Sequence, residues 1–150
     1  MNDGGRFTVG VFQDVQWARR GVDALLRGGF VRESLTIIAR DSPDASGLIE
    51  STLGGPPDRV DVKELGPAVA RGPLVAALQG EDTGLTSLGI GSTINRAGFQ
   101  RHDGHIFETL TGRGGVLVAV RSEPRAADAL ATLHAYGGGN AAIGAWTGRV

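Results

Sequence analysis

Phe7-Thr8-Val9-Gly10-Val11-Phe12, followed after an amphipathic interval by Leu35-Thr36-Ile37-Ile38-Ala39, decides how the chain is read. Both strings are short, rich in β-branched and aromatic residues, and bounded by turn formers, so each predicts a strand. Between them Asp14 offers an N-cap oxygen, and Val15, Ala18, Val22 and Leu25 recur at helical spacing, with Leu26 widening the stripe. Gly28-Gly29-Phe30 predicts a left-handed helix stop followed by an apolar contact. Residues 6–40 therefore read as strand, helix, strand.

The same pattern returns near the other end. Val116-Leu117-Val118-Ala119-Val120 predicts a buried strand. Ser122 or Glu123 with Pro124 opens a helix whose inner stripe is Ala126, Leu130, Leu133 and Gly137. Gly137-Gly138-Gly139 stops it, and Ala141 to Trp146 offers a closing strand. Val11 lies eighteen residues before Gly29 and Val120 eighteen before Gly138, so both halves give the same length of chain to turn, helix and cap. Two βαβ halves in one sheet, with both helices on one face, make a ferredoxin-like α+β sandwich, here a single domain over residues 1–150.

Residues 41–115 form an insertion between the halves. Asp41 to Asp58 reads as mostly loop, with a short turn of helix at Leu48 to Leu53, while Arg59 to Leu65 alternates as an additional edge strand. Helices are expected at Pro73 to Gln79, around Leu85 to Ile94, and from Asp103 to Thr111, the last with Asp103 as its N-cap. The second βαβ half then spans residues 116–147.

Composition bounds what such a domain does. The 150 residues carry fifteen basic and sixteen acidic side chains, so no bulk field draws the chain to nucleic acid or to an anionic membrane. No apolar run approaches the length of a membrane span and no leader is expected at Met1, which predicts a soluble, cytoplasmic protein. Zero cysteines remove disulfides and thiolate chemistry. Twenty-five glycines lie among Val, Leu and Ile runs rather than in polar tracts, so they predict turns and close backbone contacts, not disorder.

Val9 to Asp14, Ala18, Val22 to Leu26, Gly28 to Phe30 and Leu35 to Ala39, with Gly114 to Arg121 and Ala126 to Gly137 later, resemble bacterial general stress proteins of the 17M/YflT type. The resemblance implies a stress-associated protein and brings no catalytic residues to carry over. The middle departs from the pattern: Ile106, Phe107 and Glu108 stand where such relatives often carry a tyrosine and glutamate-rich helix, and Thr111 and Gly112 replace its more basic ending.

His102, His105 and Glu108 are the densest group of candidate ligands, three residues apart and so on one side of an unbroken helix. A cap at Asp103 would leave His102 outside that helix, and no metal or other cofactor is expected. Gly112-Arg113-Gly114-Gly115 follows a helix and opens a strand, the reverse of a phosphate loop, and reads as a helix stop. Trp17, beside Arg19 and Arg20, lies next to the inner stripe, so Trp17 and Arg20 are candidate contacts of a homo-oligomer, which an open sheet face would also favour. The expectation is a non-enzymatic protein acting by self-association or by binding a small molecule or protein partner. The alternatives are a ligand-sensing regulatory module and a dimeric α+β barrel enzyme using His102, His105 and Glu108.

Overall fold

The apolar strings from the two ends of the chain pair with each other. The computed structural model describes residues 7–122 and 125–143. Strand β1 (Phe7–Phe12) lies antiparallel to β5 (Val116–Arg121), with Phe7 opposite Arg121 and Phe12 opposite Val116. The other side of β5 pairs with β2 (Leu35–Arg40), and the other side of β1 with β6 (Gly139–Ile143), both antiparallel. Beyond β2 the hairpin β3 (Asp58–Val62) and β4 (Gly66–Arg71) completes a mixed α+β fold on a six-stranded sheet, ordered β3-β4-β2-β5-β1-β6.

Alternate residues of the central strands feed two separate cores, as the two-residue period of a strand requires. On one face Phe12, Leu35, Ile37, Val116, Val118 and Val120 pack against α1 (Val15–Arg27), α2 (Pro43–Leu53) and α7 (Ala126–Ala135). On the other, Phe7, Val9, Val11, Ile38, Leu117 and Ala119 are covered by α3 (Pro73–Gln79), α4 (Gly84–Ser87), α5 (Ile90–Thr93) and α6 (Arg101–Gly112). The strands read as unbroken apolar strings because both of their faces are dry. The insertion supplies the second cover, so the open face that favoured self-association is filled by the chain itself.

Helix α1 starts where Asp14 accepts from the Trp17 amide at 2.9 Å and ends at Gly29 (φ 98°), with the Phe30 amide donating to Leu25 O. The same stop, a left-handed glycine followed by an amide returning five residues, closes α6 at Gly114 and Gly115 and α7 at Gly137 and Gly138. The glycine run at Gly112 to Gly115 is thus the helix stop expected.

Four expectations change. The one helix expected around Leu85 to Ile94 is two, α4 and α5, parted at Gly89 (φ 92°), where a positive φ breaks the helical run. Asp41 to Asp58 is not mostly loop: α2 begins at the Ser42 cap, which accepts from Ala45 N at 3.0 Å, and buries Ala45, Leu48, Ile49, Thr52 and Leu53. Its period is helical, but Ser46, Gly47 and Ser51 lower the propensity that sequence reading weighs. The strand expected through Leu65 stops at Val62, where Glu64 (φ 73°) and Gly66 (φ 89°) turn the chain into β4, which the sequence reading did not include. Finally, α6 begins at Arg101 after Gln100, so Asp103 lies inside its first turn and caps nothing. Of the closing segment expected from Ala141 to Trp146, residues 144–146 lie outside the described residues, as do Glu123 and Pro124.

Candidate functional site

Helix α6 sits on the sheet through Phe107, fully buried and edge-on to Phe99, their ring centroids 5.5 Å apart at 83°. That seat fixes which face of α6 looks outward. At about 100° per residue, Arg101, His105 and Glu108 fall within an arc of about 60°, while His102 lies beyond it. Arg101, His105 and Glu108 line one wall of a cleft of about 780 Å³ whose other wall holds Gly91 and Ser92 of α5 and Asn95, with Phe99 and Gln100 also lining it. His102 is exposed and takes no part.

The two walls approach closely because both carry glycine at the crossing. A Cβ on Gly104 would lie 2.3 Å from Ile94 Cγ2 and 2.9 Å from Gly91 O, so only a bare Cα lets α6 pass α5 at this distance. The approach brings the Glu108 carboxylate onto the start of α5, where Oε2 accepts from Gly91 N at 3.2 Å. Glu108 therefore does from seventeen residues away what a local N-cap does in α1 and α2.

The turn bearing Asn95, Ile94–Ala97, is held in place by its neighbour Arg96. Its guanidinium grips both oxygens of Asp82, Nη1 to Oδ1 at 2.9 Å and Nη2 to Oδ2 at 2.7 Å, and Nη1 also donates to Leu78 O at 2.8 Å. The hydrogen bond from Arg96 holds the Asp82 carboxyl below the ordinary aspartate value, and Asp82 raises Arg96 in turn.

Of the three ligands picked out by spacing, the structure brings together His105 and Glu108 and leaves His102 out. Among the described residues no three His, Cys, Asp or Glu side chains converge as a metal site. Arg101, Ser92 and Asn95 were missed; Arg101 is legible as the residue one turn before His105 once the helix is started at 101. Trp17 is half-exposed, with the Arg20 guanidinium stacked 4.9 Å from its ring centroid, while Arg19 is committed to Ser51 Oγ at 2.6 Å. No family model, curated protein or solved structure matches this chain. Among the described residues no helix is long and apolar enough to cross a membrane. What the cleft offers chemically is a guanidinium, an imidazole, a carboxylate already turned by a backbone amide, and neutral hydrogen-bonding groups on the facing wall, beside one aromatic edge.

Proposed function

We propose that this chain is a non-enzymatic, cytoplasmic, stress-associated protein of the general stress protein 17M/YflT-like kind, whose ferredoxin-like core holds a small polar ligand in the cleft between α5 and α6. The order β2-β5-β1-β6, with α1 and α7 packed on one face, supports the ferredoxin-like reading, and β3 and β4 extend it at the β2 edge. The observation that carries the functional reading is the row Arg101, His105 and Glu108 facing Ser92 and Asn95 across an open volume, since convergent polar groups of both signs in a concave site are how small metabolites are oriented. Binding is favoured over catalysis because Glu108 is engaged by the Gly91 amide. Among the described residues no side-chain hydrogen bond joins His105 to a nucleophile or to an orienting carboxylate, the arrangement that covalent catalysis uses.

Native mass spectrometry of the purified chain tests this directly. A small organic molecule held at one per subunit, and lost in Arg101→Ala and in His105→Ala, is the expected result. Retention of that molecule in both variants overturns the cleft as its site. A second reading, self-association, is favoured only by the half-exposed Trp17 under Arg20, and the subunit count in the same spectrum decides it.

A further inference from the structure

A second depression, of about 270 Å³, opens on the opposite side of the sheet from the cleft. Its floor is Leu35 and Leu53, both part of the core beneath α1, α2 and α7, and its walls hold Arg32, Glu33, Arg71 and Gly72. Arg71 is half-buried at the end of β4 and is fixed there, Nη1 donating to Pro56 O at 3.0 Å. Gly55 makes room for it: a Cβ there would lie 2.7 Å from Arg71 Nη2 and 2.8 Å from Cζ. Arg32 approaches the same turn from the 3-10 segment Arg32–Ser34, its Nη1 3.7 Å from where a Cβ of Gly54 would stand.

Two guanidiniums thus converge on one small depression. The ion pairs among the described residues are Arg59–Asp41, Arg96–Asp82 and Arg125–Asp128, so no described carboxylate lies in pairing distance of Arg32 or Arg71. The last turn of α2 ends here without a basic residue of its own, and its carbonyl end offsets about half a unit charge. With Glu33 on the wall counted as well, two guanidiniums leave the depression net positive. Planar guanidiniums over a dry floor fit oxyanions with two or more acceptor oxygens, and the volume falls below the range of whole drug-sized ligands.

We propose that this depression binds a phosphoryl group, gripped by Arg71 and closed over by Arg32, with Glu33 placed to accept hydroxyl hydrogens from whatever carries the phosphoryl. The site is independent of the cleft and does not rest on the function proposed for it.

Thermal unfolding of the full chain, titrated with inorganic phosphate, with glycerol phosphate and with sodium chloride at matched ionic strength, tests it. Phosphate is expected to raise Tm saturably and chloride to leave it flat. Arg32→Ala and Arg71→Gln should each weaken the apparent Kd by about tenfold or more, as loss of a charged hydrogen-bond donor does. Arg101→Ala should leave it unchanged, which separates this site from the cleft. Tighter binding of glycerol phosphate than of phosphate assigns the phosphoryl to an organic ester, and equal binding assigns it to free phosphate. An equal response to chloride, or a phosphate response untouched by Arg32→Ala, overturns the proposal. Arg32 is exposed, so that variant decides the matter even where Arg71→Gln fails to fold.

Discussion

Replacing Gly104 by alanine sets two effects of opposite sign against each other at the crossing that shapes the cleft. Alanine gains about 1 kcal/mol over glycine in a helix interior. Against it stands the new methyl, 2.3 Å from Ile94 Cγ2 and 2.9 Å from the Gly91 carbonyl oxygen, well inside contact distance. Ile94 is fully buried and Gly91 O is backbone, so neither neighbour swings away and the two helices must separate. Overpacking of this kind costs about 1 to 3 kcal/mol or more, and with contacts this short the upper part of that range applies. The net expectation is a loss of about 1 to 2 kcal/mol, or a fall in Tm of about 3 to 6 °C for a chain of this size. Gly47→Ala is the matched control: it lies inside α2 with nothing within 4 Å of its Cβ position, so the propensity gain of up to about 1 kcal/mol stands alone. Urea and thermal melts of both variants against the parent are the assay. A Gly104→Ala chain as stable as Gly47→Ala would refute the claim that the crossing distance needs glycine.

Buried hydroxyls make a second case, since Thr8 Oγ1 and Ser122 Oγ lie 2.7 Å apart out of solvent. Ser122→Ala strands the Thr8 hydroxyl and should cost about 1 to 3 kcal/mol in chemical denaturation, with much of the loss returning in the Thr8→Val, Ser122→Ala double variant. Acid stability is expected to depend on Asp82. Its folded carboxyl titrates below its unfolded one, so the Arg96 pair contributes fully above the ordinary aspartate range and is lost as pH falls through the lowered folded value. Asp82→Asn should therefore flatten the acid limb of Tm against pH, and an unchanged limb would show that the pair contributes nothing. Glu108→Ala removes the acceptor of the Gly91 amide, so exchange of that one amide with solvent, followed by NMR, should accelerate while the β5 amides stay protected.

The central strands were legible because burial on two faces leaves no alternation to misread, and Asp14 and Gly29 bracket α1 in residue types that suit each end. What the sequence concealed follows from the same physics. Helix α2 is built on Ser and Gly positions that favour other conformations in isolation, and it forms because Leu48, Ile49 and Leu53 have a core to enter. Strand β4 begins Gly66-Pro67, a poor strand signal, but its Pro67 stands opposite Asp61 at the hairpin end, where the missing donor costs little, and its carbonyl is used by the Asp41 amide. The cover over the second face was legible only in pieces: helices were expected at Pro73 to Gln79, around Leu85 to Ile94 and from Asp103 to Thr111, but α3, α4 and α5, of seven, four and four residues, carry too few turns each for a periodic stripe that shows what they pack on.

The cleft was half legible for a reason that also explains its shape. Spacing of three along a helix selects His102, His105 and Glu108, but a helix begun at Arg101 and seated through Phe107 turns His102 aside and brings Arg101 in. The facing wall comes from a segment whose closeness depends on two glycines, Gly91 and Gly104, that carry no ligand atom in their side chains. Sequence reading looks for chemistry in functional groups, whereas here the missing side chains determine whether the functional groups meet. A methyl at 104 pushes on Ile94 and on the Gly91 carbonyl oxygen, and so on the wall that carries Ser92, Asn95 and the Gly91 amide on which Glu108 rests. The abundance of glycine in this chain is accordingly not spread evenly in its consequences: a Cβ at Gly47 or Gly112 would meet nothing within 4 Å, whereas at the crossing of α5 with α6 it would meet Ile94 and the Gly91 carbonyl oxygen.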